Sequence, residues 1–246
     1  MKFFWPKYPA VLKWLYPERI SLLNRPDSIY LTFDDGPVPE VTPWVLDQLQ
    51  EFNAKATFFC IGENVKKHPD IFRRIIEEGH AAGNHTYNHL NGWKTSAKDY
   101  VENTEIAEKI MSDYGYNTVS ENEKRIENRE QKTSKSRVLS TSGSELTTHN
   151  SQLFRPPYGK IRNSQARMLR NAGYKIVMWD VISGDYDKDL SAEKCYGNII
   201  KNATEGSTIV IHDSKKASGN LYEILPRILD HYSKKGFEFR SLKDVL

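Results

Sequence analysis

The sequence predicts an α/β fold in which parallel strands, covered by helices, curl into a closed or nearly closed barrel. Apolar stretches that suit buried strands alternate with patterns that suit helices, which is the order expected of a parallel sheet. About seven strand candidates occur in 246 residues, a length that suits one barrel-sized domain. The sequence contains neither the GxGxxG turn of dinucleotide-binding folds nor a Walker phosphate loop, so a barrel is the better prediction.

The strand candidates are short apolar runs, and helical patterns separate most of them. They are Ser28–Phe33, Ala56–Ile61, a weaker run at Ala81–Asn84, Leu153–Arg155, Lys175–Val181, Thr208–His212 and Phe237–Arg240. The first long helical pattern opens with Thr42 as the expected cap and Pro43 at the first helical position. A later pattern closes on Gly79, a residue type that commonly follows the last helical turn.

Two segments depart from this alternation and define the expected domain organisation. Residues 1–27 are aromatic and slightly basic, but Pro6 and Pro9 interrupt any apolar core of a signal peptide. We expect this segment to pack its aromatic side chains on the domain formed by residues 28–246, with contact to a membrane surface as the alternative. Residues 117–152 are rich in charge, then in Ser and Thr, which predicts a polar insertion before the fourth strand.

Charge and cysteine content exclude two classes of site. The net charge is +3, and the Lys and Arg residues are scattered without the basic stripe that nucleic acid selects. Cys60 and Cys195 have no CxxC partner, so a thiolate metal site is not indicated, and Cys60 is expected to be a buried free thiol. No apolar run approaches the ~18 residues of a spanning helix, and no export signal is recognisable, so the default expectation is a cytoplasmic or membrane-peripheral location.

Ionisable side chains cluster directly after five of the predicted strands. The clusters are Asp34 with Asp35, His85 with His89, Arg155 to Gly159, Trp179 to Asp187, and His212 to Ser214. Because the carboxyl ends of parallel barrel strands lie on one rim, where such enzymes place their chemistry, we expect these clusters to converge.

The spacing of His85 and His89 indicates a metal site. On a helical turn, residues four apart face the same way, so both imidazoles could reach one cation. Two nitrogens and one carboxylate leave positions open for water, which is typical of a catalytic zinc centre. Taken alone, the two histidines are also compatible with a helix face that binds nothing, and Asp34 with Asp35 is compatible with an ordinary charged turn.

Together, the motifs resemble those of a known family. The stretches TFDDGP, HTYNH, RPPYG, WDVISGDYD and IVIHD are similar, in this order, to the five motifs of the polysaccharide deacetylases. These proteins form carbohydrate esterase family 4 and share the NodB homology domain. The resemblance runs from Ser28 to Leu246 and implies a distorted, incomplete (β/α)7–8 barrel. It also implies a hydrolase that uses metal-activated water to remove N-acetyl groups from N-acetylglucosamine units of peptidoglycan, chitin or a related glycan.

The resemblance assigns the central roles. It implies that Asp35, His85 and His89 bind a divalent metal, most simply zinc, with cobalt or nickel as possible substitutes. Asp34 is then the general base and His212 the general acid. A lone histidine after a buried strand is otherwise a core residue.

The remaining roles concern orientation and substrate. Arg155 would hold Asp34, a role that a structural ion pair would also fit, and Asp185 would orient His212. The backbone N–H of Tyr158 would stabilise the oxyanion. Candidate substrate contacts, which could equally be wall packing, are Tyr158, Pro157, Tyr186 and Trp93.

The fourth motif departs from the family pattern. It ends in Asp185-Tyr186 where the family usually has Asp-Trp, and Ile182 stands where an acid or Asn is common, so we expect an altered subsite shape. Two alternatives are kept open: a hydrolase of a small amide or cyclic imide, and a non-catalytic glycan-binding module on the same scaffold.

Overall fold

The computed structural model describes residues 5–115 and 152–244. Apart from Gln152, the predicted insertion at 117–152 lies outside the described residues. In the described part, eight strands form one sheet in the order β5-β4-β3-β2-β1-β7-β6, with β8 added beside β1, and every ladder between them is parallel. The strands are β1 (Ser28–Asp34), β2 (Thr57–Cys60), β3 (Ala81–Asn84), β4 (Leu153–Phe154), β5 (Lys175–Ile176), β6 (Val181–Ile182), β7 (Thr208–His212) and β8 (Glu238–Phe239).

Helices connect most of the strands and cover the outside of the sheet. They are α1 (Ala10–Leu15), α2 (Val41–Glu51), α3 (Gly62–Lys67), α4 (Pro69–Glu77), α5 (Ala97–Gly115), α6 (Asn163–Asn171), α7 (Ala192–Asn202) and α8 (Ser218–Lys234). Three short 3₁₀ turns lie at Gly92–Lys94, Pro157–Gly159 and Leu242–Asp244. This is the predicted architecture, a curled parallel sheet that forms an incomplete barrel.

Alternation along the central strand β1 decides what faces the helices and what faces the barrel interior. Ile29, Leu31 and Phe33 pack into the main apolar core between sheet and helices. Tyr30 belongs instead to a smaller buried cluster on the other face. Because successive side chains of a strand point to opposite faces, Asp34 shares the inner face with Tyr30. The first acid of the TFDDGP motif is therefore directed into the barrel.

Two details differ from the sequence prediction. The run Lys175–Val181 is not one strand, because the chain leaves β5 at Ile176 and enters β6 only at Val181. Thr42 does not cap α2, which begins at Val41. The Thr42 hydroxyl instead accepts a hydrogen bond from the Val38 N–H (2.8 Å), so it braces the turn that leads into the helix.

The N-terminal segment crosses the gap in the barrel. In the described part of the chain, no ladder joins β5 to β6, the two ends of the sheet. Lys7 forms an antiparallel bridge with Val181 of β6, and Ile20 forms a parallel bridge with Val177 just beyond β5. The segment therefore supplies backbone partners to both edges that the sheet leaves open.

The aromatic residues of this segment are divided between packing and exposure. Tyr8 is buried and lies edge-on to Trp179, with ring centroids 5.6 Å apart. Trp5 and Trp14 are exposed, Trp14 by 79%. Tyr8 therefore packs on the domain, whereas most of the Trp14 side chain faces solvent. Across residues 5–115 and 152–244, no helix has both the length and the apolar composition that a membrane span needs.

Candidate active site

The polar clusters meet at the carboxyl ends of the strands, as the barrel arrangement predicts. Asp34, the last residue of β1, is the register partner of His212, the last residue of β7. Asn84, which precedes His85, pairs in register with Phe154, which precedes Arg155. Residues separated by up to 178 positions in sequence are thus brought to one rim by parallel pairing.

Arg155 crosses the barrel interior and holds Asp34. Its Nη1 donates to Asp34 Oδ1 (2.7 Å) and to Thr32 Oγ1 (2.7 Å), both on the inner face of β1. Its Nη2 donates to the carbonyl of Met178 (2.7 Å), and its guanidinium lies 4.1 Å from the centre of the Phe59 ring. The Arg155 side chain is 1% exposed, so both its charge and its direction are determined by these contacts.

This arrangement keeps Asp34 ionised. Burial alone would raise the pKa of the carboxyl, but the positive charge of Arg155 and the neighbouring His85 and His212 outweigh burial and lower the pKa below its usual value. Arg155 also occupies one oxygen, Oδ1, through a charge-assisted hydrogen bond. Asp34 therefore has the protonation state that a general base requires near neutral pH.

Asp35 turns away from Asp34 because its backbone leaves the extended conformation. Its φ is +84°, a left-handed value that residues with a side chain rarely adopt. The change of direction therefore begins one residue before Gly36. Its carboxylate Oδ1 lies 3.3 Å from His89 Nε2 and 3.9 Å from His85 Nε2.

The two histidines lie on a loop between β3 and α5 and not on a helical turn, so this part of the prediction was wrong. Thr86 and His89 have φ values of +64° and +59°, which a helix does not allow. Within the loop, the Leu90 N–H donates to Thr86 Oγ1 (3.0 Å), and the Thr86 N–H donates to Asn84 Oδ1 (2.9 Å). The two imidazole centroids are nevertheless 5.0 Å apart, so the loop achieves the convergence that was expected of a helix.

Both imidazoles offer a free ring nitrogen. His85 Nδ1 lies 2.7 Å from the carbonyl oxygen of Arg155, and since a carbonyl only accepts, Nδ1 carries the proton and Nε2 the lone pair. Burial lowers the pKa of His85, and burial together with the neighbouring His85 lowers the pKa of His89 to about 4. Both rings are therefore neutral near pH 7, the form that binds a metal.

The donor set fits a divalent cation. One ligand atom from each of Asp35, His85 and His89 lies within 4.8 Å of the other two. Asp35 Oδ1 is buried and has no hydrogen-bond partner among the described residues, which is unfavourable unless another ligand satisfies it. Two imidazoles and a carboxylate are a composition that zinc accepts with a coordination position left for water.

His212 is oriented by Asp185 through two contacts. Its Nδ1 lies 2.8 Å from Asp185 Oδ1, and its backbone N–H donates to Asp185 Oδ2 (2.7 Å). The hydroxyl of Ser183 donates to Asp185 Oδ1 (2.7 Å) and so helps to hold the carboxylate. The other ring nitrogen, Nε2, is left for a reacting group.

The surroundings of His212 favour its charged form. Burial alone would lower the pKa of the imidazole, but the Asp185 carboxylate outweighs burial and raises the pKa to about 9, with smaller contributions from Asp35 and Asp34. Asp34 and His212 are thus neighbours whose protonation is driven in opposite directions, an ionised carboxylate beside a protonated imidazole. An opposed pair of this kind is the arrangement expected of a base and an acid in one site.

The RPPYG motif places Tyr158 next to His89, one of the three candidate metal ligands. The Tyr158 ring is 60% exposed, and its centroid lies 4.4 Å from that of His89. Its backbone has φ +59°, and its N–H donates to no acceptor within residues 5–115 and 152–244. This N–H is therefore available to a ligand, as the oxyanion prediction requires.

The other three predicted substrate contacts differ in exposure and in their position relative to the site. Tyr186 lies edge-on to His212, with ring centroids 4.9 Å apart, and so lines the acid side of the site. Trp93 is 58% exposed and shares the Lys160 ammonium with Tyr158, at 5.3 Å and 6.0 Å from the two ring centres. Pro157 is buried, so it shapes the loop under Tyr158, and its contact with substrate stays a prediction.

Sequence reasoning missed contacts that carry no motif signal. Ser183 was not singled out, although its hydroxyl supports Asp185. Asn64, from α3, donates through Nδ2 to the carbonyl of Asp35 (2.8 Å) and was not predicted to take part. A single Ser or Asn does not by itself indicate a partner: Ser183 binds a residue two positions away within the fourth motif, and Asn64 binds one that is 29 positions away.

Comparison with known proteins places the chain in a family. The model of the family described as polysaccharide deacetylase matches residues 23–177. The chain is 33% identical over 244 residues to a peptidoglycan-N-acetylglucosamine deacetylase of Bacillus cereus, an alignment that covers 98% of this chain and 75% of that protein. It is 33% identical over 192 residues to a chitooligosaccharide deacetylase of Azorhizobium caulinodans, covering 78% of this chain and 76% of that protein.

A solved structure with the same fold is that of the Bc1960 peptidoglycan N-acetylglucosamine deacetylase, determined in complex with a naphthyl-substituted N-hydroxybenzamide. Its TM-score is 0.76 at 29% identity, and the match covers 97% of each chain. The family model, the relatives and this structure agree with the motifs and with the incomplete barrel. The chain belongs to the polysaccharide deacetylase family.

Proposed function

We propose that the protein removes the N-acetyl group from N-acetylglucosamine residues of peptidoglycan, with zinc as the metal. The observation that carries the proposal is the grouping of an Asp35, His85 and His89 donor set with two groups in opposite protonation states, Asp34 and His212.

Each residue would act at a defined atom. A divalent cation held by Asp35, His85 and His89 would lower the pKa of bound water and polarise the acetamide carbonyl. The Asp34 carboxylate would accept the proton of the attacking water, while Arg155 keeps one of its oxygens in place. The Tyr158 N–H would donate to the oxygen that gains charge as the carbonyl becomes tetrahedral.

His212 would complete the hydrolysis. Its protonated ring would deliver the Nε2 proton to the amide nitrogen as the carbon–nitrogen bond breaks, and Asp185 would stabilise the imidazolium until that step. The products are acetate and a glucosamine residue with a free amine. The proton taken by Asp34 and the proton given by His212 balance the addition of one water.

Two lysines at the rim support peptidoglycan as the glycan. Lys160 lies over Trp93 and Tyr158, and Lys216 lies 5.7 Å from the ring centre of Tyr186. No carboxylate in the described part of the chain pairs with either lysine. Peptidoglycan carries carboxylates on its peptides, and on any lactyl group that bears no peptide, whereas chitin carries none, so unpaired cations beside the site suit the anionic polymer.

The first test is acetate release from defined glycans. The metal-loaded protein is expected to release acetate from N-acetylated peptidoglycan fragments, and chelation should abolish the activity until zinc is restored. Asp34→Asn should lower kcat by about 10²–10⁴-fold, the usual contribution of a general base. Undiminished turnover in that variant would contradict the assigned base, and turnover of cyclic imides without any glycan activity would favour the small-amide alternative.

A second test separates the acid from the metal ligands. His212→Ala should reduce turnover by about 10²–10⁴-fold because the leaving amine loses its proton donor. The same variant should still bind about one zinc ion per chain, since His212 is outside the proposed ligand set. Metal content is measured by elemental analysis of the dialysed protein, and loss of zinc would show that the role of His212 is misassigned.

A further inference from the structure

A buried acid beside His212 has no part in the proposed chemistry. Asp213 is the next residue in the IVIHDS motif and is 0% exposed. Its backbone N–H donates to the carbonyl of Asp34 (3.1 Å), so it lies where β1 ends and the two adjacent acids begin.

The Asp213 side chain binds the turn that follows the two acids. Its Oδ1 accepts the backbone N–H of Gly36 (3.0 Å), and its Oδ2 accepts the hydroxyl of Thr42 (2.6 Å). The same Thr42 oxygen accepts the N–H of Val38. One carboxyl group therefore holds both the start of the turn and the start of α2.

The peptide group between Asp35 and Gly36 is consequently held on both sides. Asp213 binds its N–H, and Asn64 Nδ2 binds its carbonyl oxygen at 2.8 Å. Asp35 itself has φ +84°, a conformation that is unfavourable for a residue with a side chain and persists only when its surroundings impose it. These hydrogen bonds are the surroundings that the Asp35 backbone requires.

The shape of the turn depends on the same contact. A Cβ at Gly36 would lie 2.0 Å from Asp213 Oδ2, which no real contact allows. The Asp213 carboxyl thus occupies the space that any other residue at position 36 would need. Glycine is required at position 36 because of this neighbour.

The contact does not require a particular protonation state of Asp213. Burial raises the pKa of its carboxyl to about 8, against the lowering effect of the Thr42 hydrogen bond, and the negative charge of Asp35 raises it further. A neutral carboxyl still has an oxygen that accepts the Gly36 N–H. An asparagine at this position would keep that acceptor and lose only the acceptor for Thr42.

We propose that Asp213 is a positioning residue for the metal ligand Asp35, holding the Asp35–Gly36 peptide so that the ligand oxygen faces His85 and His89. The inference rests on the metal site of the proposed function. It predicts that removing the Asp213 side chain weakens metal binding even though Asp213 is not a ligand.

The test measures zinc affinity by competition with a chelator, and folding by thermal unfolding of the apo protein. Asp213→Ala is expected to bind zinc about 10- to 100-fold more weakly, the usual cost of losing a residue that orients a ligand. Asp213→Asn should bind no more than about fivefold more weakly, because it loses the hydrogen bond from Thr42 alone. If Asp213→Ala does not fold, Asp213→Ser, too short to reach Gly36, is measured instead, with the same weakening expected.

The matched control is Asp180→Ala. Asp180 is also fully buried, but it accepts hydrogen bonds from Ser207 and Lys7 beside the start of β7, at the opposite end of that strand from His212. It should lower the thermal midpoint and leave zinc affinity unchanged. Wild-type affinity in folded Asp213→Ala would overturn the positioning role, whereas a wild-type protein that binds no zinc would instead refute the proposed metal site.

Discussion

Asp34 and His212 end two hydrogen-bonded strands side by side, and each is paired with an opposite charge that the sheet also positions. Arg155 holds Asp34, and Asp185 holds His212, both at hydrogen-bond distance and both almost fully buried. Because each partner stabilises the charged form of its neighbour, Asp34 remains ionised and His212 remains protonated over a shared range of pH. At the scale of single residues, function depends on an oppositely charged neighbour beside each of Asp34 and His212.

The charge of Asp185 gives a prediction about pH. In the proposed mechanism His212 donates its proton, so activity should fall as pH rises through its pKa of about 9. Asp185→Asn removes the main cause of that raised pKa, so the alkaline limb of kcat should move to lower pH, toward the ordinary imidazole value of about 6.5. The pH profile of kcat for both proteins checks this, and an unmoved alkaline limb would contradict the role of Asp185.

Lys160 gives a prediction about specificity. Lys160→Gln keeps a polar side chain but removes the cation beside Trp93 and Tyr158. KM should rise by about two- to fivefold for peptidoglycan fragments that carry carboxylates, the range of a solvent-exposed ion pair, and should not change for neutral chito-oligomers. Equal KM changes for both substrates would count against recognition of anionic groups.

At the scale of elements, a loop that contains residues with positive φ brings the two histidines together, although a helical turn was expected to do so. Thr86 and His89 turn the histidine loop so that both imidazoles face Asp35, and side-chain hydrogen bonds within the loop hold it there. Another connection, between α4 and β3, is held by His80, whose Nδ1 accepts the Ala56 N–H at 3.2 Å. The ring of His80 packs edge-on against Phe58, which places it in the core beneath the sheet.

His80 should make stability depend on pH. Burial, then the positive charges of Lys55 and Arg74, lower its pKa in the folded protein to about 4, below the unfolded value of 6.5. The unfolded chain therefore binds a proton more readily between pH 6.5 and 4, so the His80 contribution is present above pH 6.5 and is lost as pH falls, by up to about 3 kcal/mol.

The measurement compares urea unfolding of the wild type and of His80→Asn at pH 7 and pH 4.5. Asparagine keeps an acceptor for the Ala56 N–H and does not titrate, so the variant should lose less unfolding free energy on acidification than the wild type does. His85 and His89 titrate in both proteins and cancel in the difference. The same loss in both proteins would exclude His80 as its source.

At the scale of the whole molecule, the barrel depends on a segment that the strand pattern does not include. Residues 5–23 bridge the open edges of β5 and β6, and Lys7 and Lys13 both pair with the buried Asp180, at 2.7 Å and 2.6 Å. The lysines are partly exposed, whereas the Asp180 side chain is not exposed at all. Removing the two lysines would therefore leave a buried negative charge, whereas removing Asp180 would leave two positive charges that are partly exposed.

This asymmetry predicts the order of two variants. Lys7→Met with Lys13→Met leaves the buried carboxylate of Asp180 without a cation and should cost about 3–5 kcal/mol of unfolding free energy. Asp180→Ala frees two lysines that can turn toward water and should cost less, about 1–3 kcal/mol. Denaturant unfolding of both proteins checks the order, and a larger loss in Asp180→Ala would contradict the argument.

Much of the fold and of the site could be predicted, because period and motif are local properties of the chain. The alternation of apolar runs and helical patterns predicts the parallel sheet, and the five motifs predict the family, both of which are confirmed. The ligand, base and acid assignments stay predictions that the geometry supports. The predicted helical turn failed where backbone angles decided the outcome, at Thr86 and His89, since a residue's type does not determine its φ.

The sequence by itself determined which polar residues follow which strand. Because the strands are parallel, it also determined that these residues meet on one rim of the barrel. Only the tertiary structure decided the contacts that adjust them, such as the Thr32 hydroxyl that accepts from Arg155 and the Asp213 carboxyl that fills the space beside Gly36. Motifs are local in sequence, whereas these contacts join residues more than 100 positions apart. Packing alone brings such residues within hydrogen-bond distance, and burial then strengthens the electrostatic interactions between them.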